Sequence, residues 1–209
     1  MKLYKYSVGA MGTNCYLAVD ESTKQAAVID PGGDYEKIAA AIEAKDCHVC
    51  AILLTHAHFD HILALESLRT LTGAPLYLHE ADAPYLLDNT LNLMARFSSE
   101  SLVIRPPEHL LHDGDTVAIG QEAFTVIHTP GHTPGSVCFL NGDTLVTGDT
   151  LFRESIGRYD FPGGDYETIL ASLAKLIALG KSGIDYRICP GHGPSSHLNY
   201  EKEHNLYLN

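Results

Sequence analysis

The sequence predicts an α/β fold, one domain over residues 1–209. Three observations carry that prediction. Short apolar segments of strand length alternate with helical patterns along the whole chain, the way mixed sheet-and-helix layers are encoded. A length of 209 residues suits a single domain and leaves little room for a second. The stretch PGGDYEKIAAAI from Pro31 returns as PGGDYETILASL from Pro162, each time a Gly-rich turn, an aspartate and a helix. Either the same turn chemistry arose twice, or two related halves, each sheet plus helices, pack sheet to sheet.

LYKYSV and TNCYLAVD flank Ala10-Met11-Gly12 and read as a hairpin. KQAAVID is a third strand, ending at Asp30-Pro31-Gly32-Gly33. DYEKIAAAIEAK reads as a helix capped by Asp34, with Ile38 and Ile42 on one face. VCAILL is apolar throughout, as a strand covered on both faces is. HILALESLRTLTG follows as a helix with Gly73 at its C-terminal cap, and PLYLH is another strand. Residues 82–110 are broken by Pro84, Pro106 and Pro107, while Leu91, Leu93, Met94 and Phe97 need cover; they read as a helical or loop insertion over a cleft. Short strands follow at DTVAIG, EAFTVIHT, SVCFL and DTLVTG, and Asn141-Gly142 signals a type I′ hairpin between the last two. DYETILASLAKLIAL is a strong helix with Ile169, Leu170, Leu173, Leu176 and Ile177 as its stripe and Gly180 at its end. DYRICP is the last strand, followed by GHGPSSH and a short polar tail.

Composition narrows the function. A formal charge of −12 with no Lys/Arg run repels phosphate backbones and argues against a nucleic-acid partner. The cysteines are odd in number and scattered, which is no disulfide framework and suits a reducing cytoplasm. MKLYKYSVG lacks the apolar core of a signal peptide, and no apolar run approaches the ~18 residues of a membrane span. The expectation is a cytoplasmic protein with a small-molecule substrate and no membrane partner.

The chemistry concentrates in LLTHAHFDH. His56 and His58 are two apart, so an extended turn points them the same way. Asp60 and His61 sit where the next helix begins and face a second point nearby. Imidazole and carboxylate together suit zinc, iron and manganese. The histidines follow a buried strand and are interleaved with Ala57 and Phe59, unlike a solvated run. Alone, this turn holds a metal poorly, because a catalytic site needs a closed ligand set with one open position. Partners stand at other strand ends, each in a glycine-bearing turn: His132 in HTPGHTPGS, Asp149 in VTGDT and His192 in CPGHG. Asp30 ends a strand beneath the turn, where it can brace a ligand histidine, and His128 is near enough to do the same. Cys47-His48-Val49-Cys50 has no second pair and precedes a strand, so it reads as structural. Phe152 and Phe161 suit either the pocket or the core.

In order and spacing, HAHFDH, His132, Asp149 and His192 resemble the metallo-β-lactamase-fold hydrolases, and the resemblance covers nearly the whole chain, DPGG included. GDTLFRESIGRYDFPGGD, residues 148–165, is similar to the short, single-domain glyoxalase II-like members. The resemblance implies an αββα four-layer sandwich with a two-metal site on its edge. It implies that His56, His58 and His132 bind one divalent ion, that Asp60, His61 and His192 bind the other, and that Asp149 bridges them. Zinc is the expected metal, with iron or manganese as alternatives. The implied reaction is hydrolysis of a thioester such as an S-acylglutathione by a metal-bridging hydroxide, Asp60 handling the proton as well as ligating. Arg158 falls where the family places a basic substrate contact, with Tyr159 beside it. Two departures stand out. Ile62-Leu63-Ala64 replaces the Ile-Gly-Gly of many relatives, and the chain ends at Asn209 without the helical C-terminal domain that helps hold glutathione. Gly157-Arg158-Tyr159-Asp160-Phe161 also resembles a motif of the persulfide dioxygenases on this fold, which would use one iron on His56, His132 and Asp149.

Overall fold

A computed structural model describes residues 1–99, 101–180 and 183–208. The first sheet runs in sequence order: β1 (Lys2–Val8), β2 (Thr13–Val19), β3 (Gln25–Ile29), β4 (His48–Leu53), β5 (Leu76–His79) and β6 (His109–Leu111). Its first three strands pair antiparallel and the rest parallel. The second sheet is built from β7 (Thr116–Ile119), β8 (Glu122–His128), β9 (Val137–Asn141), β10 (Thr144–Gly148), β13 (Arg187–Pro190) and β14 (Ser196–His197), in the order β14-β13-β10-β9-β8-β7. A small hairpin, β11 (Leu151–Phe152) with β12 (Ser155–Ile156), stands between β10 and β13 in the chain.

The layers follow from the pleat. Every residue of β2 is buried, because alternate side chains meet different partners. Cys15, Leu17 and Val19 face a core shared with helices α1 (Tyr35–Ala44) and α3 (Leu65–Thr72), whose Ile38, Leu65 and Leu68 fill it. Tyr16 and Ala18 face the other way, into a core with Phe124, Val126, Phe139 and Val146 of the second sheet. A third core lies beyond that sheet, where Leu145 and Ile188 meet Ile169, Leu173 and Leu176 of α6 (Tyr166–Leu179) and Leu198 of α7 (Leu198–His204). Helices, sheet, sheet, helices is the αββα sandwich.

Local details depart from the sequence reading. Asp34 does not cap α1; its backbone is left-handed at φ 46°, and its carboxylate accepts the Gly9 N–H at 3.1 Å. Asp165, in the second copy of PGGDY, is extended and does cap, accepting Thr168 N–H at 2.8 Å. Identical sequences thus serve two local geometries. The predicted helix after HAHFDH is two, α2 (Phe59–Ile62) and α3, because Ala64 N–H turns aside to donate to Pro31 O. Gly73 does close α3, at φ 66° with its N–H on Arg69 O. Asn141 pairs with Thr144, so the β9–β10 loop is Gly142-Asp143 with positive φ only at Gly142, which is not a type I′ turn. GHGPSSH ends in β14, and the polar tail opens as α7. The insertion holds α4 (Ala83–Leu87) and α5 (Met94–Phe97) and ends in edge strand β6.

All five cysteines are free thiols. Cys47 and Cys50 donate in different directions, to Ile42 O and Ala26 O, as structural residues do. Among the described residues, no helix is long and apolar enough to cross a membrane.

Candidate metal centre

Four chain segments leaving the ends of β4, β8, β10 and β13 bring His56, His58, Asp60, His61, His132, Asp149 and His192 into one cluster. His132 Nε2 lies 2.9 Å from His58 Nδ1 and 3.2 Å from His56 Nε2. A second group sits alongside. His192 Nε2 is 3.4 Å from His61 Nε2 and 3.2 Å from Asp60 Oδ2. Asp149 stands between the groups: Oδ1 is 3.5 Å from His61 Nε2, while Oδ2 is 3.6 Å from His132 Nε2 and 3.5 Å from His192 Nε2.

Hydrogen bonding sets the tautomers of the first group. His132 Nδ1 lies 2.6 Å from the Arg158 carbonyl, an acceptor only, so Nδ1 carries the proton and Nε2 a lone pair. Thr55 Oγ1 spends its hydrogen on Asp30 Oδ2 at 2.7 Å, so it accepts from His56 Nδ1 at 3.1 Å. His56 Nε2 is then a lone pair too. Two lone pairs facing each other at 3.2 Å in a buried pocket repel unless a cation lies between them. His58 Nε2 and Asp149 Oδ1 are also buried without a hydrogen-bond partner. Three sets of candidate ligand atoms each fall within 4.8 Å of one another: His56/His58/His132, His56/His61/Asp149 and Asp60/His61/His192. Nitrogen and carboxylate oxygen converging this way suit divalent metals.

Without a cation the two groups differ in protonation. Burial, then the neighbouring imidazoles, holds His56 well below the usual histidine range. Burial, then His132, holds His58 well below it too, and burial lowers His132. Burial also opposes charge on His61, but Asp60, Asp149 and Asp30 outweigh it and raise it well above that range. His192 is raised likewise, burial being outweighed by its bond to Asp60. The first group is therefore neutral and ready to ligate, while the second must shed protons. Proton release measured by calorimetry in buffers of different ionisation enthalpy is expected to be larger for cations at the second group. Affinity there should rise more steeply with pH than at the first. In the metal-free protein the ion pairs of His61 stabilise the fold fully below its unfolded value of ~6.5, a contribution lost as pH rises through the raised value.

Buried carboxylates hold the cluster from behind. Asp30 accepts Thr55 N–H and Oγ1–H, and its Oδ2 lies 3.1 Å from His61 Nδ1, an ion-pair distance off the hydrogen-bond axis. Asp82 was not singled out by sequence. Fully buried, it accepts Ala57 N–H at 3.0 Å, Thr133 Oγ1–H at 2.8 Å and Gly135 N–H at 2.7 Å. One carboxylate thus ties the turn carrying His56 and His58 to the loop carrying His132. A Cβ on Gly135 would stand 2.6 Å from Asp82 Oδ1, which accounts for the glycine. The signal was present, since Asp82, like Asp30 and Asp149, closely follows a strand. His128 braces the same loop through Pro134 O, at 2.9 Å from its Nε2. Gly191, before His192, is equally constrained: a Cβ would meet Asp149 Oδ1 at 2.2 Å and His61 Cε1 at 2.9 Å. Gly191→Ala is expected to weaken metal binding at the second group by about 10- to 100-fold, measurable by equilibrium dialysis.

The cluster opens into a cleft of about 290 Å³ lined by His58, Asp60, His132, Asp149 and His192 with Met11, Phe59, Leu93, Phe97, Phe152, Ile156, Arg158 and Phe161. Phe152 and Phe161 therefore belong to the pocket, and the insertion covers the cleft through Leu93 and Phe97. Arg158 reaches it with its guanidinium doubly bonded to Asp160, at 2.9 and 2.7 Å, and lying over the Phe161 ring. Tyr159 does not line the cleft; its ring packs on Tyr166. A larger groove of about 600 Å³, between α1 and α3, lies apart from the cluster.

Residues 8–202 match the model of the Metallo-beta-lactamase superfamily. A probable metallo-hydrolase, YqgX of Bacillus subtilis, is 36% identical, covering 100% of this chain and 98% of its own. The hydroxyacylglutathione hydrolase GloC of Haemophilus influenzae is 35% identical, over 97% and 95%. Among solved structures, the BLEG-1 B3 metallo-beta-lactamase superposes with TM-score 0.92 at 37% identity, covering 100% of both chains. A di-iron-bound form of TTHA1623 gives 0.86 at 37%, over 98% of this chain and 100% of its own. ETHE1 from Myxococcus xanthus gives 0.80 at 29%, over 99% and 84%. Fold, cluster and relatives agree: the chain belongs to the metallo-beta-lactamase superfamily, whose members are metal-dependent hydrolases.

Proposed function

We propose that this protein is a dinuclear metal-dependent thioester hydrolase, with S-acylglutathiones as the first substrates to test. The observation that carries the reading is the pair of ligand sets joined by one carboxylate, Asp149. In this reading His56, His58 and His132 hold one ion, Asp60, His61 and His192 hold the other, and Asp149 serves both. Zinc is the proposed metal, and the same donors accept iron or manganese. The relative named hydroxyacylglutathione hydrolase and the di-iron neighbour support it.

Bound divalent ions would supply an acidified water and polarise the scissile carbonyl. The protein's own groups do the rest. Asp60 Oδ2 accepts from Thr13 Oγ1 at 3.1 Å and faces His192 Nε2, so its carboxylate is fixed at the cleft floor. As a carboxylate ionised at neutral pH, it is placed there to take a proton from the attacking water. Phe161 against His58 and Phe152 against His192 put apolar rings beside the place a reacting carbonyl would take. Arg158, at the cleft wall, is the proposed polar contact for the substrate. The proposed setting is cytoplasmic, with a small molecule as partner.

A mono-iron persulfide dioxygenase is the second reading, favoured by the ETHE1 neighbour. It leaves Asp60, His61 and His192 without a purpose, although they are as closely gathered as the first set. Release of free thiol from S-lactoylglutathione, stopped by a chelator and restored by added divalent metal, is the result expected of the hydrolase. A metal-loaded protein that cleaves no thioester would sink the proposal.

A further inference from the structure

The walls of the cleft say which part of a substrate it selects. Seven of its lining side chains are apolar: Met11, Phe59, Leu93, Phe97, Phe152, Ile156 and Phe161. They stand directly against the cluster. Phe161 packs edge-on to His58 at 5.6 Å and Phe152 edge-on to His192 at 6.1 Å, so a carbonyl at the cluster has an aromatic ring on either side. Further out, Phe97 stacks on Phe59 at 4.6 Å. The insertion is fixed there by Phe59 N–H donating to Asn92 O at 2.8 Å. The next residue, Leu93, has a left-handed backbone at φ 70° and a buried side chain on the cleft wall. A non-glycine residue held in that region points to a conformation imposed for what it presents.

The charged groups point the same way. Apart from the cluster, Arg158 is the only cation lining the cleft among the described residues, and Asp160 already takes two of its donors. A substrate recognised through carboxylates on its thiol half would find Arg158, already partly engaged, and Arg96, 5.9 Å over the Phe161 ring. A substrate with an apolar acyl half would find a wall of aromatic and aliphatic carbon.

Resting on the thioester reading, we infer that the cleft selects its substrate through an apolar acyl arm, of the size of a phenylacetyl or hexanoyl group, rather than through the thiol. Small hydroxylated arms such as lactoyl leave the wall uncovered and are the poorer substrates. Phe97 is a specificity-determining residue, because it caps the wall while being 59% exposed, so its removal spares the cores.

The test uses the metal-loaded protein with acetyl, lactoyl, hexanoyl and phenylacetyl thioesters of one uncharged thiol, N-acetylcysteamine. The expected result is a kcat/KM for the hexanoyl and phenylacetyl esters at least about 30-fold above lactoyl, shrinking to within about threefold in Phe97→Ala. Binding of phenylacetate and lactate by calorimetry gives a readout free of turnover, with phenylacetate expected at least about tenfold tighter and the advantage lost in Phe97→Ala. Lactoyl turned over as well as phenylacetyl overturns the acyl-arm proposal and leaves the thioester reading standing. If no ester is cleaved, the thioester reading fails, and the calorimetry decides the cleft: a phenylacetate preference sustains an apolar-arm site, and equal binding overturns it.

Discussion

Replacing Asp82 by alanine is expected to destabilise the protein by about 3 kcal/mol and to weaken metal binding at the first ligand set by about 10- to 100-fold. The carboxylate accepts two backbone N–H groups and the Thr133 hydroxyl, all in the interior. Thr133 can turn to Ser136 Oγ, 2.8 Å away, but the N–H groups of Ala57 and Gly135 have no substitute. Asparagine should not rescue fully. Its NH2 replaces either the oxygen facing Gly135 N–H or the one facing Ala57 N–H, setting donor against donor. The pH dependence has a definite sign. Burial outweighs the three hydrogen bonds and raises Asp82 to about 6. A carboxyl raised on folding favours the folded state at low pH and loses that advantage as pH rises from ~3.9 through about 6. The deficit of Asp82→Ala in chemical denaturation should therefore be larger at pH 4.5 than at pH 7.5. Equal stability of wild type and variant at both pH values would show that Asp82 ties nothing together.

Asp149→Ala is expected to lower kcat/KM by about 10³-fold or more, because it removes the one group facing both ligand sets. Metal content should fall below two per chain, which separates a ligand's role from a merely structural one. The metal-free variant should also be less stable at neutral pH, since His61 and His192 lose a counter-charge in a buried site. A variant that keeps two tightly bound ions would contradict the bridging role proposed for Asp149.

Much of the fold, and which residues gather at the cluster, is legible in the sequence. Strand ends and glycine turns located all seven clustering residues, because each had to leave a buried strand at the same edge. The covered strand VCAILL and the helix of Ile169 and Leu173 followed from period alone. What escaped depended on contacts between distant segments. Asp34 and Asp165 share one local sequence, but Asp34 accepts the N–H of distant Gly9 while Asp165 accepts Thr168 N–H of its own helix. Helix α2 ends where Pro31 O captures Ala64 N–H, a bond 33 residues long in sequence that no periodicity announces. Tyr159 follows Arg158 yet packs on Tyr166 and does not line the cleft. Asp82 follows a strand as Asp30 and Asp149 do, but it lies in the proline-broken insertion, and what it ties together shows only once the two histidine loops meet.

The most direct test of the central claim is a metal titration of the chelator-stripped protein, followed in the same samples by thiol release from S-acyl substrates and by oxygen uptake with glutathione persulfide. The account predicts two ions per chain, thioester cleavage that rises as the second ion binds, and no oxygen uptake. One iron per chain with oxygen consumed and no thioester cleaved would contradict it.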